Sequence, residues 1–542
     1  MTSSHPSPES GPPEPGVVPF PPDLVQQYRE AGYWRQRTLP QVLDAAAENF
    51  ADAPFVSDAV RSLSFRELAR SSCRCASWLA SHGVRPGSNV VLYLPNSVAW
   101  VEAYFGVMRA GARPVLVLSS HGRIEVTHVA RKAEAVAIVT TGRVGTVDYA
   151  AVARQVAEQV PGLTVLEVAW HQEPPWHQVP DPDPASLPEV SPGSVAVLQL
   201  SGGTTGNPKL IPRLHEEYDY CSRAAAEISD LRRGDVMAVV LPAAHNFALS
   251  SPGLHGALAV GARVVMAPDP SPATGFALLE QQAVTHLALV PPLLLTWMNS
   301  LQAEESTHTA LRIVWVGGSK LSRAIAERVE GTLRCRLQQV FGMAEGLCNY
   351  TRLDDDEETV VATQGRPLSP ADEVRVVDDR GLPVPDGVEG HLQTRGPYTI
   401  RGYYRAPEHN ARCFTEDGFY VSGDLVTQDS RGYLTVTGRV NDIINRGGEK
   451  VAPETVENAL LGIPEVHDAS VVGVPDDRWG ERIVAYVILR ETLAEAERPT
   501  PRQLIMQVRR SGIAAFAVPD EIQVVDEFPL TAVGKVSKQQ QR

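Results

Sequence analysis

The chain has 542 residues, 43% hydrophobic and 21% charged, which calls for more than one folded unit and excludes collagen-like, coiled-coil and wholly disordered chains. Lys and Arg total 49 against 64 Asp and Glu, a formal charge of −15. With that excess of acid and no Lys/Arg-rich run, no nucleic acid or anionic membrane surface is an expected partner, and an anionic ligand must be held by a local site.

In chain order, residues 1–22 come first. Proline recurs from Pro6 to Pro22, and the segment reads as a disordered arm that cannot bury enough apolar surface to fold alone. Beyond it, apolar runs at 90–94, 114–118, 195–200, 236–241, 263–267, 286–290 and 311–316 predict buried strands. Between them 65–82, 97–110, 275–282 and 321–329 have helical spacing. The alternation predicts layered α/β sheets. The stretch 170–193, rich in Pro, Asp and Ser, predicts a surface connection. Residues 236–262 lack Lys, Arg, Asp and Glu, but Pro242, His245, Asn246 and Pro252 interrupt them, so strand, loop and helix in a core are expected and no membrane span.

After about residue 370 the texture changes to short strands and glycine turns, with helices near 454–461 and 502–511. A boundary near 438–442 predicts a large N-terminal domain of layered α/β sheets over 23–438 and a small α+β domain over 439–542. Cys73, Cys75, Cys221, Cys335, Cys348 and Cys413 form no C-x-x-C pair, which predicts reduced thiols. With no secretory leader at the N-terminus, a cytoplasmic location is expected.

The densest chemistry lies in Ser201-Gly202-Gly203-Thr204-Thr205-Gly206-Asn207-Pro208-Lys209, directly after the apolar run 195–200. Its glycines allow a backbone to approach an anion closely, its hydroxyls and N–H groups donate, and Lys209 adds charge. No G-K-[ST] follows, so it is not a P-loop of the kinase or GTPase type. The loop is similar to the signature of the adenylate-forming superfamily. Further matches follow in that superfamily's order: Phe341-Gly342-Met343-Ala344-Glu345-Gly346, Ser422-Gly423-Asp424, Gly438-Arg439 with Asp442, Gly447-Gly448-Glu449-Lys450, and Pro529 through Lys535. Within it, the stretches 244–253 and 338–347 resemble the stand-alone aryl-acid adenylation enzymes of siderophore assembly, the 2,3-dihydroxybenzoate–AMP ligases.

The resemblance implies ATP and Mg²⁺ as cofactors and two steps. An aryl acid displaces pyrophosphate from ATP, and the aryl adenylate then passes to the phosphopantetheine thiol of an aryl carrier protein. Positioning and charge neutralisation matter more than proton transfer for an anion attacking a polyanion. The loop residues Ser201, Gly202, Gly203, Thr204, Thr205, Gly206 and Lys209 are implied to hold the β- and γ-phosphates. Glu345 is implied to bind Mg²⁺, with Gly342, Met343 and Ala344 beside it at the nucleotide. Asp424 would take the ribose hydroxyls. Phe341 would face adenine across from Gly317 and Gly318, with Gln339 at the amino edge. Lys535 would enter the site to contact carboxylate and α-phosphate oxygens, with Arg439 at the nucleotide, and Asp442 is the implied hinge of a mobile small domain.

The same resemblance places His245 near the substrate carboxylate as an aromatic gate, and Asn246, Phe247, Ser251, Val340, Leu347 and Gly318 around the acid. Amino-acid-activating relatives have an aspartate where Asn246 stands. A neutral amide leaves an ammonium without a counter-charge, so α-amino acids are expected to be rejected, and Asn246, able to donate and accept, suits an ortho-hydroxyl beside a carboxylate. Ser251 either meets a 3-hydroxyl or caps the helix that begins near Pro252. That ordering puts 2,3-dihydroxybenzoate first, salicylate next and 3-hydroxypicolinate third, with an aryl-CoA ligase as the alternative enzyme. Arg213 and His215 read as local structure. Two departures stand out: Asn441 occupies a position where many relatives have lysine, and Ala344 one where much of the superfamily has threonine.

Overall fold

The computed structural model describes residues 14–170, 172–201, 208–446, 449–476, 478–490, 493–531 and 535–542. Two large sheets dominate the chain up to the boundary region. The first has six strands in the order Leu210–Leu214, Val195–Leu200, Arg113–Leu116, Asn89–Tyr93, Ala137–Thr140 and Thr164–Glu167. All its neighbours run parallel except Leu210–Leu214, which folds back on Val195–Leu200 as a hairpin. The second has nine strands, with Arg336–Gly342, Ile313–Gly317, His286–Leu289, Val236–Val239, Arg263–Met266 and Pro54–Ser57 parallel at its centre. Unbroken apolar runs such as Val195–Leu200 become buried parallel strands because helices cover both faces.

Helix Phe65–Ser81 starts where Ser64 and Glu67 exchange side-chain and backbone hydrogen bonds, a capping box. Those bonds hold the Glu67 carboxyl below the usual carboxylate range. Helix Val98–Arg109 is buried along its whole length, so its one acid, Glu102, is paired with Arg61 at 2.8 Å and His177 at 2.6 Å. A four-stranded antiparallel sheet (Glu373–Val377, Gly390–Arg395, Tyr420–Gln428, Leu434–Arg439) follows. The C-terminal part has its own sheet, built on the long pair Val466–Asp476 and Gly480–Leu489, with helices Pro453–Leu461 and Pro501–Arg510. Its core, from Ile444 to Ile522, is separate from those of the larger part. Among the described residues no helix is long and apolar enough to cross a membrane.

Two expectations need correction. Residues 1–13 lie outside the described residues, but 14–22 are seated and not a loose arm. Glu14 pairs with Arg113 at 2.8 Å and accepts the Val195 N–H, and Phe20 meets the Trp34 ring edge-on at 5.0 Å. The 170–193 stretch is not all surface either: Trp176 is fully buried against Trp78, in the turn that delivers His177 to Glu102.

Arg213, on the hairpin strand, is 1% exposed and paired with Glu217 through two hydrogen bonds of 2.8 Å. It also donates to the carbonyls of Ala344 at 2.9 Å and Tyr398 at 3.3 Å. It was read from sequence as local structure, yet it reaches across 131 residues to the loop that carries Glu345. Arg213→Met leaves the buried Glu217 without its cation, with only the Leu214 N–H at 2.8 Å, and chemical denaturation should show a loss of about 3–5 kcal/mol. Arg213→Met/Glu217→Leu should recover most of it.

Candidate active site

Four segments at the carboxyl ends of parallel strands meet at one cleft: the loop after Val195–Leu200, residues 244–251 after Val236–Val239, Gly318 after Ile313–Gly317, and residues 343–345 after Arg336–Gly342. The cleft has two lobes of about 510 and 290 Å³, both lined by Gly318, Val340, Gly342, Asp424, Arg439 and Lys535.

At the phosphate-loop end, the Ser201 N–H donates to the Lys209 carbonyl at 2.9 Å and the Lys209 N–H to Ser201 Oγ at 3.0 Å. Ser201 and Lys209 therefore face each other where the hairpin strands Val195–Leu200 and Leu210–Leu214 converge. Gly202, Gly203, Thr204, Thr205 and Gly206 lie outside the described residues. Lys209 Nζ stands 5.7 Å from the centre of the Tyr403 ring. The Tyr403 hydroxyl donates to Glu345 Oε1 at 2.7 Å and meets the Tyr420 hydroxyl at 2.9 Å. Burial first, then Glu345, pushes the Tyr403 phenol far up, so it stays a donor. Among the described residues no three acidic, His or Cys groups cluster as a metal cage. A cavity-lining carboxylate such as Glu345 fits Mg²⁺ that takes its other oxygens from phosphate and water.

Lys535 comes from the C-terminal part. Gly318 sits at φ +93°, and a Cβ there would stand 3.3 Å from Lys535 Cε and 3.2 Å from Val290 Cγ1, so glycine suits both backbone and neighbour. Burial, then Arg439, lowers the Lys535 ammonium to about 8 against the opposing pull of Asp424 and Glu345. Arg439 Nε donates to Asp424 Oδ1 at 2.8 Å, and Asp424 is 3% exposed. Asp442 lines both lobes and accepts from Arg542 at 3.4 Å. Across the junction, Lys320 Nζ donates to the Val436 carbonyl at 2.6 Å and to Glu454 at 3.3 Å.

His245 caps helix Asn246–Ser250: its Nδ1 accepts the Phe247 N–H at 3.2 Å, which leaves the proton on Nε2. Burial, then Lys535, lowers its pKa to about 3, so the ring is neutral near pH 7. Asn246, Phe247, Ser251 and Val340 line the larger lobe. Ser251 caps no helix by its side chain. It ends the helix Asn246–Ser250, and Gly253–Val260 begins after Pro252 with no side-chain cap. Its Oγ lies 4.0 Å from Cys348 Sγ on the wall of the lobe.

Three expected site residues are placed elsewhere. Gln339 is 1% exposed and spends its amide on the Val360 carbonyl at 2.7 Å and on Gln364, so it is not free for an adenine edge. Leu347 is fully buried among Val376, Leu392, Val426, Leu434 and Val436, away from the acid pocket. Gly317 lines neither lobe: a Cβ there would stand 2.6 Å from the Val340 carbonyl, so the glycine serves packing. Phe341 lines the smaller lobe alone, while Met343 and Ala344 line the larger. The sequence reading also passed over Tyr403, Tyr420, His409, Arg412 and Cys348, all lining the larger lobe. Cys348 follows the Glu345 motif by three positions and was open to sequence reasoning. The pair Tyr403 and Tyr420 carried no signal without the fold.

A family model for AMP-binding enzymes matches residues 43–404, and one for the AMP-binding enzyme C-terminal domain matches residues 455–535. The chain belongs to the AMP-binding enzyme family. The 2,3-dihydroxybenzoate-AMP ligase of Bacillus subtilis is 45% identical over 525 residues, 96% of each chain. The salicyl-AMP ligase / salicyl-S-ArCP synthetase of Mycobacterium tuberculosis is 44% identical, covering 98% of this chain and 95% of that protein. The apo structure of Mycobacterium smegmatis MbtA superposes with a TM-score of 0.74 at 42% identity, covering 97% and 98% of the two chains. With these relatives, the adenylate-forming expectation and the α/β fold hold along nearly the whole chain.

Lys535 is charged below its pKa of about 8 and neutral above it. If its ammonium serves the family's first step, kcat/KM for pyrophosphate release should fall as pH rises through about 8, since that parameter reports the free enzyme. Bound triphosphate restores the charge, so kcat should fall only at higher pH. The residual activity of Lys535→Arg should show no fall near 8. A wild-type kcat/KM flat through about pH 9 would remove this lysine as the charge carrier.

Proposed function

We propose that this enzyme condenses an aryl acid, 2,3-dihydroxybenzoate first, with ATP and then loads the acyl group onto the phosphopantetheine thiol of an aryl carrier protein, in the cytoplasm. The observation that carries this reading is the placement of Asn246, Glu345 and Lys535 on the walls of one cavity. In the first step a carboxylate oxygen attacks the α-phosphorus, the bond to the β-phosphate oxygen breaks, and pyrophosphate leaves. The hairpin loop and Lys209 hold the departing phosphates. Asp424, oriented by Arg439, accepts the ribose hydroxyls, and Phe341 bounds the adenine in the smaller lobe. Mg²⁺ held by Glu345 supplies charge neutralisation on the phosphates. Lys535 stabilises charge where the carboxylate meets the α-phosphate, aided by water exclusion. Neutral His245 walls the acid with an N–H donor and no positive charge to hold the carboxylate back. In the second step the thiol sulfur attacks the acyl carbon and AMP leaves. Rotation of the small domain about Asp442 withdraws Lys535 between the steps.

The family-level chemistry suits an ortho-hydroxylated acid because Asn246 is neutral, and the Ser251 hydroxyl favours a second, 3-position hydroxyl. Pyrophosphate exchange with benzoate, salicylate, 2,3-dihydroxybenzoate, 3-hydroxypicolinate and several amino acids tests it. 2,3-Dihydroxybenzoate should lead and amino acids should be silent; exchange led by an amino acid rejects the reading. With the adenylate formed, a holo aryl carrier protein should be the better acceptor, and preference for free CoA would favour an aryl-CoA ligase. Ser251→Ala should raise KM for 2,3-dihydroxybenzoate about tenfold, the worth of one buried hydrogen bond, and leave KM for salicylate nearly unchanged.

A further inference from the structure

An asparagine side chain has two chemically opposite ends, and the residues behind Asn246 decide which end the acid meets. Asn246 Oδ1 accepts the Tyr218 hydroxyl at 2.6 Å and the Ser250 hydroxyl at 3.2 Å. The Tyr218 oxygen itself accepts an N–H from Gln199 at 3.2 Å. Tyr218 and Ser250 are 0% exposed and Gln199 2%, so bulk water does not compete for these bonds. A phenol carries a single proton. With a donor from Gln199 arriving at its oxygen, that proton points to Asn246.

The opposite amide orientation would send an N–H from Asn246 to the same phenol oxygen. The Tyr218 proton would then lose its 2.6 Å acceptor and have only the Ser250 oxygen to turn to, a poorer arrangement in a buried place. The Tyr218 ring cannot swing away to escape this. It is stacked by the Arg213 guanidinium at 4.3 Å and lies edge-on to His255 at 5.0 Å. The Tyr218 hydroxyl thus occupies Oδ1, while the Ser250 proton is shared between Oδ1 at 3.2 Å and the Asn246 carbonyl at 3.3 Å. Among the described residues Asn246 Nδ2 has no acceptor, and the residue lines the 510 Å³ lobe.

We propose that Gln199 and Tyr218 are positioning residues for substrate selection: their donor chain locks the Asn246 amide so that its NH₂ group faces the bound acid. The site then takes an oxygen acceptor there, a carboxylate or ortho-hydroxyl oxygen, and disfavours an ortho-amino group, whose N–H bonds meet another donor. This rests on the aryl-acid reading above.

The test compares salicylate with 2-aminobenzoate in pyrophosphate exchange for wild type, Tyr218→Phe and Gln199→Met. Tyr218→Phe keeps the ring contacts and removes the hydroxyl that donates to Asn246 and accepts from Gln199. It should raise KM for salicylate about tenfold and shrink the preference for salicylate over 2-aminobenzoate by a similar factor. Its kcat and its KM for ATP should stay near wild type, a split that a merely structural role would not produce, while the Gln199 N–H left without its acceptor lowers the melting temperature by a few degrees. Gln199→Met should move the same ratio in the same direction by a smaller factor, and it decides the matter if Tyr218→Phe does not fold. A preference that stays within about twofold of wild type in both variants overturns the proposal alone, since one buried hydrogen bond is worth more than that. A wild type that exchanges with no aryl acid overturns the aryl-acid reading and this proposal with it.

Discussion

A buried guanidinium holds the site together. Arg213 sits on the strand that leaves the phosphate loop, is neutralised by Glu217, grips the Ala344 carbonyl beside Glu345, and lies on the Tyr218 ring. One cation thereby connects the hairpin strand, the segment that carries Glu345 and, through Tyr218, the Asn246 wall of the larger lobe. Its charge is not offered to a ligand; burial and a fixed partner turn it into a scaffold. Planar, always protonated and rich in donors, arginine can satisfy four groups from a place with no water, and lysine could not.

That arrangement explains how a chain with a net charge of −15 can host a polyanion. Cations line the larger lobe, among them Lys209 opposite Ser201, and Lys535 and Arg439 where the two parts of the chain meet. The desolvated surroundings that lower the Lys535 ammonium also strengthen its attraction for a phosphate oxygen. The same environment keeps His245 neutral, so no positive ring competes for the acid's charge.

Much of this was legible in the residues. Apolar runs of four to seven residues became parallel strands because burial on both faces removes the need for alternation. The ordered motifs sit at strand ends, where backbone geometry dictates small residues and donors. What eluded the reading is side-chain direction. On strand Arg336–Gly342 the period of two sends Val340 and Phe341 to different faces, so Val340 lines both lobes and Phe341 the smaller alone, and Gln339 is used up beneath the surface by Val360 and Gln364. Leu347 follows a turn that points it into the core of the antiparallel sheet. Proline density at 14–22 and 170–193 concealed Phe20 and Trp176, each of which docks one side chain in a segment of loop-like composition. Arg213 and Glu217 were visible as an i, i+4 pair, but nothing in a linear sequence announces a bond to residue 344.

Lys320 carries a consequence for the domain rotation proposed above. Its ammonium is held by the Val436 carbonyl on the larger part as well as by Glu454 on the smaller. If the small domain swings away, Glu454 departs while Lys320 stays anchored. The returning domain then meets a cation whose position and rotamer are already set, so the keeper half of the latch never has to be found again. Reclosure is spared part of the side-chain entropy that a freely waving lysine would forfeit.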